Sequence, residues 1–285
     1  MYGQAAANIT DDIDLVVYTA AVHTDNPEYA EVVRRGIPMM TRAELLGQIM
    51  KNYGEAIAIS GTHGKTTTTS MVTEILLAAE KDPTISVGGI LHSIGGNIRV
   101  GGPELFVTEA CEYTNSFLSF FPTMEIILNI EADHLDFFKD LDDIRHSFRL
   151  FAEKLDEKGL LIINRDIKNY EEISGGLPCR VVTFGHSKES DYSAADITYD
   201  AFARPTFTLV EQGKAAGTIT LGVPGEHNVY NALAAIATAK ALGIPDTAIA
   251  DGLLHFTGTD RRFEKKGELN GITIIDDYAH HPQEI

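Results

Sequence analysis

The stretch from Glu55 to Glu80, EAIAISGTHGKTTTTSMVTEILLAAE, decides the fold. Ile57 and Ile59 flank Ala58 in an apolar alternation that predicts a buried strand, while Met71, Ile75 and Leu76 mark one face of a helix. Between them lie Gly61, Thr62, His63, Gly64, Lys65 and Thr66. Strand, glycine loop and helix in that order aim free backbone N–H groups and the positive helix end at an anion. Lys65 adds a full charge, and Thr66 supplies a hydroxyl of the kind that holds Mg2+. A nucleoside triphosphate is the natural ligand of such a loop. The spacing is a variant of G-x-x-x-x-G-K-[ST], because Ile59 stands where the first glycine would be. The plainer reading, a strand-to-helix turn with a solvated lysine, has to treat strand, two glycines, lysine and threonine as coincidence.

Upstream, residues 14–18 predict a strand, and Asn26-Pro27 gives an N-cap followed by proline at the first helical position, opening a helix to Arg35. A short strand over 37–39 follows, then a capping box of Thr41 and Glu44 that starts a helix to about Lys51. This run resembles the latter part of a Rossmann-like unit without the glycine-rich first turn, so a partial first domain is expected over 1–52. Downstream, strands over 105–108, 125–130, 160–164 and 181–184 alternate with helices, predicting an α/β fold with a doubly wound, mostly parallel sheet. Leu141, Ile144, Phe148, Phe151 and Leu155 form one apolar helix face. Short alternating runs over 197–199, 206–210 and 218–221 predict antiparallel hairpins that extend the sheet. Residues 228–242 predict a helix with Leu233 and Ile236 inward, closed by Gly243, and Pro245 begins another toward His255. Lys265, Lys266, Gly267, Asn270 and Gly271 read as a linker, and a strand over 272–275 begins a third unit. The expected division is therefore 1–52, a central nucleotide-binding domain over 53–266, and the start of a truncated unit over 267–285.

With 44% hydrophobic and 22% charged residues the chain has an ordinary globular composition. Its 23 basic against 41 acidic residues, a formal net charge of −18, argue against a nucleic-acid surface. Two cysteines, Cys111 and Cys179, are too few for a disulfide framework, and no charged-then-apolar leader opens the chain, so a cytoplasmic protein is expected. The longest apolar runs fall well short of the roughly 20 residues of a membrane-spanning helix, and no membrane partner is expected.

Two further strand ends carry polar groups where open α/β sheets bind ligands. The first delivers Glu109 and Glu112, either of which offers Mg2+ a carboxylate; acidic residues at a strand end are also ordinary solvated loop residues. The second delivers Asn129, Glu131, Asp133 and His134, a set that joins an imidazole to carboxylates.

The octapeptide Gly61-Thr-His-Gly-Lys-Thr-Thr-Thr68 resembles the phosphate loop of the Mur ligases, the ATP-dependent amino-acid-adding enzymes of peptidoglycan precursor synthesis. The runs from Glu109 to Tyr113, Ser116 to Leu118 and Asn129 to Asp136 look like the branch that joins L-alanine to UDP-N-acetylmuramate. The resemblance implies ATP and Mg2+, with Gly61, Thr62, His63, Gly64, Lys65, Thr66 and Thr67 around the phosphates. It implies catalytic roles for Lys65, Glu109 and His134, with Thr66, Glu109 and His134 on metal; it assigns none to Glu112. The run from Gly225 to Asn231 is similar to the family's adenine-binding turn, which would put His227, Asn228 and Asn231 on the base; an asparagine N-cap is the simpler account of Asn228. Arg261-Arg262-Phe263-Glu264 resembles the family's domain-joining motif, with Arg262 on phosphate. The run from Asp276 through His280, His281 and Pro282 looks like the start of its third domain, with Asp277 on the nucleotide.

One departure stands out. Several relatives place a carbamylated lysine fourteen positions after the histidine, and here that position is Phe148, in the apolar face. The expected reaction is ATP-dependent ligation through an acyl phosphate, incomplete in the chain as given. A murein-tripeptide recycling ligase and a non-catalytic nucleotide-binding module are the alternatives.

Overall fold

The computed structural model describes residues 3–262 and 264–279; Phe263 and the His280-His281-Pro282 run lie outside the described residues. A small unit comes first. β1 (Val16–Tyr18) and β2 (Met39–Thr41) pair in parallel, joined by α1 (Pro27–Arg35), and α2 (Arg42–Met50) follows. The caps are those the residues dictate: the Asn26 side chain accepts from the N–H groups of Glu28 and Tyr29, and Thr41 and Glu44 satisfy each other's backbone donors.

The main body is a ten-stranded sheet. Its strands are β3 (Glu55–Ser60), β4 (Thr84–Leu91), β5 (Gly96–Arg99), β6 (Leu105–Glu109), β7 (Met124–Ile127), β8 (Leu160–Asn164), β9 (Arg180–Phe184), β10 (Tyr192–Tyr199), β11 (Pro205–Glu211) and β12 (Lys214–Thr220). Their spatial order is β12-β11-β10-β9-β8-β7-β3-β6-β4-β5. The strands from β4 to β10 in that order run parallel; β5 runs against them at one end, and at the other β11 is antiparallel to both β10 and β12. β3 sits between β6 and β7, so the loop that follows it opens in the middle of the sheet's carboxyl edge.

Helices cover both faces. On one, α3 (Lys65–Ala78), α6 (His227–Ala241) and α7 (Asp246–His255) bury Ile75, Leu233, Ile236 and Leu253 against Ile57, Ile59 and Ile126. On the other, α4 (Leu141–Ala152) and the short α5 (Glu171–Ser174) pack over Ala56, Ala58 and Ile127, with Met50 of α2 in the same cluster. The doubly wound, mostly parallel fold class thus stands. No helix among the described residues is long and apolar enough to cross a membrane.

Several expectations need correction. β4 and β5 escaped the sequence pattern because Gly88-Gly89 and Gly95-Gly96 read as turns. The strand expected to run to Ile130 ends at Ile127, because the next residues leave the ladder to hold the loop described below. In the five-residue apolar face, Leu141 is 41% exposed, and Leu155 is buried but lies beyond the helix end. The linker proposed around Lys265 is half of a hairpin: β13 (Glu264–Leu269) pairs antiparallel with β14 (Ile272–Asp276). Asn270 and Gly271, both at positive φ, make its two-residue turn, a strong hairpin signal that the basic residues obscured.

Two packing features carry consequences. Gly47 of α2 faces the 3-10 turn over Tyr113–Ser119, where an added Cβ would lie 2.0 Å from the Ser119 carbonyl oxygen. Gly47→Ala is expected to cost about 1–3 kcal/mol of stability, read as a fall in the urea midpoint. An unchanged midpoint would mean that α2 is not seated on this turn. Glu125 of β7 is the second feature: its side chain is fully buried, and neither carboxyl oxygen has a hydrogen-bond partner among the described residues. Burial holds its pKa well above the ordinary carboxylate value, opposed only by the charge of Lys154.

Candidate nucleotide site

The loop after β3 is held in place by the strand beside it. The Asn129 side chain accepts from the N–H of His63 at 2.7 Å and donates to the His63 carbonyl at 3.0 Å. The Asn129 carbonyl accepts from the N–H of Thr62, and the Thr62 hydroxyl accepts from the N–H of Glu131 at 3.0 Å. His63 and Glu131 face each other at 3.5 Å. Gly64 has φ +84, and a Cβ on it would fall 2.5 Å from Asn231 Oδ1, so both backbone conformation and space call for glycine. Leu128, buried, forms the floor against Gly61 and Gly64.

α3 begins at Lys65, so the N–H groups of its first turn lack helical carbonyl partners and the positive end of its dipole lies at the loop. The Lys65 ammonium is bent back: it donates to the carbonyls of Gly61 and Thr62 and pairs with the buried Glu112 at 3.2 Å. Thr66 is buried at the second position of α3, and Thr67 is half-buried beside it.

Glu109 reaches the same place by register. Ile59 lies opposite Glu109 across β3 and β6, the Ala110 N–H donates to the Ile59 carbonyl, and the Glu109 carboxylate accepts from the N–H of Gly88. His134 stands further off. It adopts positive φ, its ring lies 4.5 Å from that of Tyr113, and Tyr113 donates to Asp136 at 2.9 Å. Its link to the loop runs through Tyr113 to the adjoining Glu112; no hydrogen bond or ion pair joins His134 to Glu109 or Thr66. No cluster of three or more His, Cys, Asp or Glu side chains forms a metal cage among the described residues.

Asn228 and Asn231 are buried and bonded to each other. Asn231 donates to Asn228 Oδ1 at 3.0 Å, and Asn228 donates to the Pro224 carbonyl at 2.7 Å. This couples the start of α6 to the loop, since Asn231 abuts Gly64. Burial depresses the His227 pKa below the ordinary imidazole value, and Asp277 acts the other way. The guanidinium groups of Arg261 and Arg262 lie 4.7 and 5.6 Å from the Tyr278 ring, placing the arginine motif against β14's end. Asp277 is exposed there and accepts from the N–H of Ala279.

Loop, Lys65, Thr66, Glu109 and Asn231 are therefore brought together, His134 stands at second hand, and Arg262 and Asp277 lie on the segment leading out of the sheet. Sequence reasoning offered Glu112 to Mg2+ without a settled role and gave none to Asn129; the structure pairs Glu112 with Lys65. The signal for Asn129 was present: a lone amide directly after the apolar run that ends at Leu128, just past the end of the strand next to the loop.

The description "Mur ligase middle domain" fits residues 59–239, and "Mur ligase family, catalytic domain" fits residues 1–54. A UDP-N-acetylmuramate--L-alanine ligase of Lachnospira eligens is 66% identical over 283 residues, which are 99% of this chain and 62% of that protein. The crystal structure of a UDP-N-acetylmuramate-alanine ligase from Thermotoga maritima matches with TM-score 0.86 at 33% identity, over 99% of this chain and 64% of that one. A murein peptide ligase from Psychrobacter arcticus matches at 27% identity with TM-score 0.82, over 99% and 63%. The chain spans about three fifths of the length of the curated relatives it matches. A phosphate-type loop pinned by the neighbouring strand, a carboxylate brought beside it by register, and a family match over more than half of the residues agree: the chain belongs to the Mur ligase family.

Proposed function

We propose that this chain supplies the ATP-binding part of a cytoplasmic ligase that joins L-alanine to UDP-N-acetylmuramate. The units would be a partial UDP-substrate domain over 1–52, the ATP-binding domain from 53, and the beginning of an amino-acid-binding domain at the β13–β14 hairpin, since the division expected at 266 would cut β13. One observation carries the reading: the loop is already shaped, with Asn129 and Asn231 fixing it and the Lys65 ammonium within it. The 66% identity to an L-alanine ligase supports L-alanine as the amine, and among the solved structures the alanine ligase, at 33%, stands only a little above the peptide ligase, at 27%.

In this reading the muramate carboxylate attacks the γ-phosphoryl of ATP, ADP leaves, and the amine of L-alanine then displaces phosphate from the acyl phosphate. The loop N–H groups and Lys65 hold the phosphates and stabilise charge as the phosphoryl group transfers. Thr66 in the first turn of α3 and Glu109 at the end of β6 are hard oxygen donors that suit Mg2+, and His134 would hold a second metal ion. Mg2+ would neutralise phosphate charge there. His227, Asn228, Asn231, Arg262 and Asp277 would hold the nucleotide from the α6 and β14 sides.

Titration calorimetry with ATP and Mg2+ tests the reading first, and binding at millimolar nucleotide or tighter is expected. Phosphate release from ATP is then compared with UDP-N-acetylmuramate plus L-alanine, and with the tripeptide in its place. Absence of ATP binding to the folded protein overturns the proposal. Stimulation by the tripeptide rather than L-alanine moves it to the recycling ligases.

A further inference from the structure

We propose that the hydroxyl of Thr259 binds the terminal phosphate of the nucleotide, an inference that rests on the ATP reading above. Thr259 lies outside the loop, on the segment between α7 and β13, and is only 2% exposed. Its backbone carbonyl accepts from the N–H of Arg262, but its hydroxyl has no hydrogen-bond partner among the described residues. Buried hydroxyls are nearly always partnered, because leaving one unpaired costs stability.

The surroundings say what that hydroxyl is for. A Cβ built on Gly89 would lie 3.3 Å from the Thr66 methyl, 3.6 Å from Thr259 Cβ and 3.8 Å from Thr259 Oγ1. Thr259 and Thr66 therefore flank the same glycine, and the N–H of neighbouring Gly88 is the donor to Glu109. The unpaired hydroxyl thus sits beside the first turn of α3, where unpaired N–H groups and the helix dipole favour an anion. The next residue ties this segment to β4, since the Asp260 N–H donates to the Ile90 carbonyl. A phosphate oxygen arriving at the start of α3 accepts the Thr259 proton and supplies the missing partner.

Thr259→Val keeps the shape and removes the hydroxyl, so its two readouts should move in opposite directions. Thermal stability without ligand rises, because an unpaired buried polar group has been removed. Affinity for ATP with Mg2+ falls about fivefold, as expected for one neutral hydrogen bond. Affinity for ADP, which lacks the terminal phosphate, changes by less than about twofold. Thr259→Ser, which keeps the hydroxyl, should bind ATP like the original chain. Equal ATP affinity in the valine variant and the original chain overturns the proposal, and so does an equal loss for ATP and ADP. Failure of the original chain to bind ATP instead overturns the ATP reading itself.

Discussion

Replacing Glu125 with leucine is expected to stabilise the protein by about 3 kcal/mol at pH 7.5, because the strand then loses a buried polar group without partners. The gain should depend on pH in a definite direction. Burial raises the folded-state pKa of Glu125 above its ordinary value of 4.5. Above that value the unfolded chain has released a proton that the folded chain still holds, so stability falls as pH rises. The loss continues until the buried carboxyl itself ionises, at a limiting slope of about 1.4 kcal/mol per pH unit. Below pH 4.5 both states are protonated and the slope vanishes. Urea denaturation at pH 5, 6, 7 and 8 should therefore show a falling curve for the original chain and a flatter one for Glu125→Leu. Glu125→Gln separates the two effects, since it keeps an unpartnered polar group but cannot ionise: it should flatten the curve without the full gain. Parallel curves for all three proteins would mean that the carboxyl reaches a partner or water.

Lys65→Ala is expected to produce two losses that a second substitution can separate. A charge-assisted contact with phosphate is removed, which should weaken ATP binding by about a hundredfold. Glu112, buried and paired with Lys65 at 3.2 Å, is left without its counter-charge. Breaking one side of a buried ion pair costs about 3–5 kcal/mol, so the single variant should also be much less stable. Adding Glu112→Gln to Lys65→Ala should recover most of that stability and none of the affinity. If the double variant binds ATP like the original chain, Lys65 does not face phosphate. If Lys65→Ala alone keeps full stability, the pair with Glu112 is not formed in solution.

The fold class was legible because β3, β6, β7 and β8 are buried on both faces and so read as apolar runs, and because the capping residues Asn26, Thr41 and Glu44 act locally. What sequence could not show depends on contacts made across the chain. β4 contains a glycine pair where other chain comes close, Gly88 against Glu109 and Gly89 against Thr66 and Thr259, whereas Gly95, at positive φ with open space around it, is a turn glycine leading into β5. A glycine needed for close approach looks, in one dimension, like a glycine needed for a turn. The loop itself was plain, since its residues are contiguous. Its supports were not, because Asn129 and Asn231 arrive from 66 and 167 positions beyond His63 and Gly64, and Glu112 meets Lys65 from 47 positions away. Thr259 was invisible for the same reason, being one threonine in a stretch that shows no pattern. The Asn270-Gly271 hairpin is different: its signal is local and readable, and composition outweighed it.

The strand order also prescribes the sequence in which the sheet can assemble. From β7 through β8, β9, β10 and β11 to β12, each strand lies beside the one before it in the chain, so this side can lengthen one strand at a time. The other side cannot, because β3 must be enclosed by β6 and then by β7, whose partners Ile57 and Met124 are 67 residues apart. Closing that loop carries the larger chain-entropy cost, and β8 then pairs directly on β7. During synthesis the nascent chain therefore has no sheet edge on which to build β8 to β12 until residue 127 has emerged, and from then on it extends that edge as fast as residues arrive.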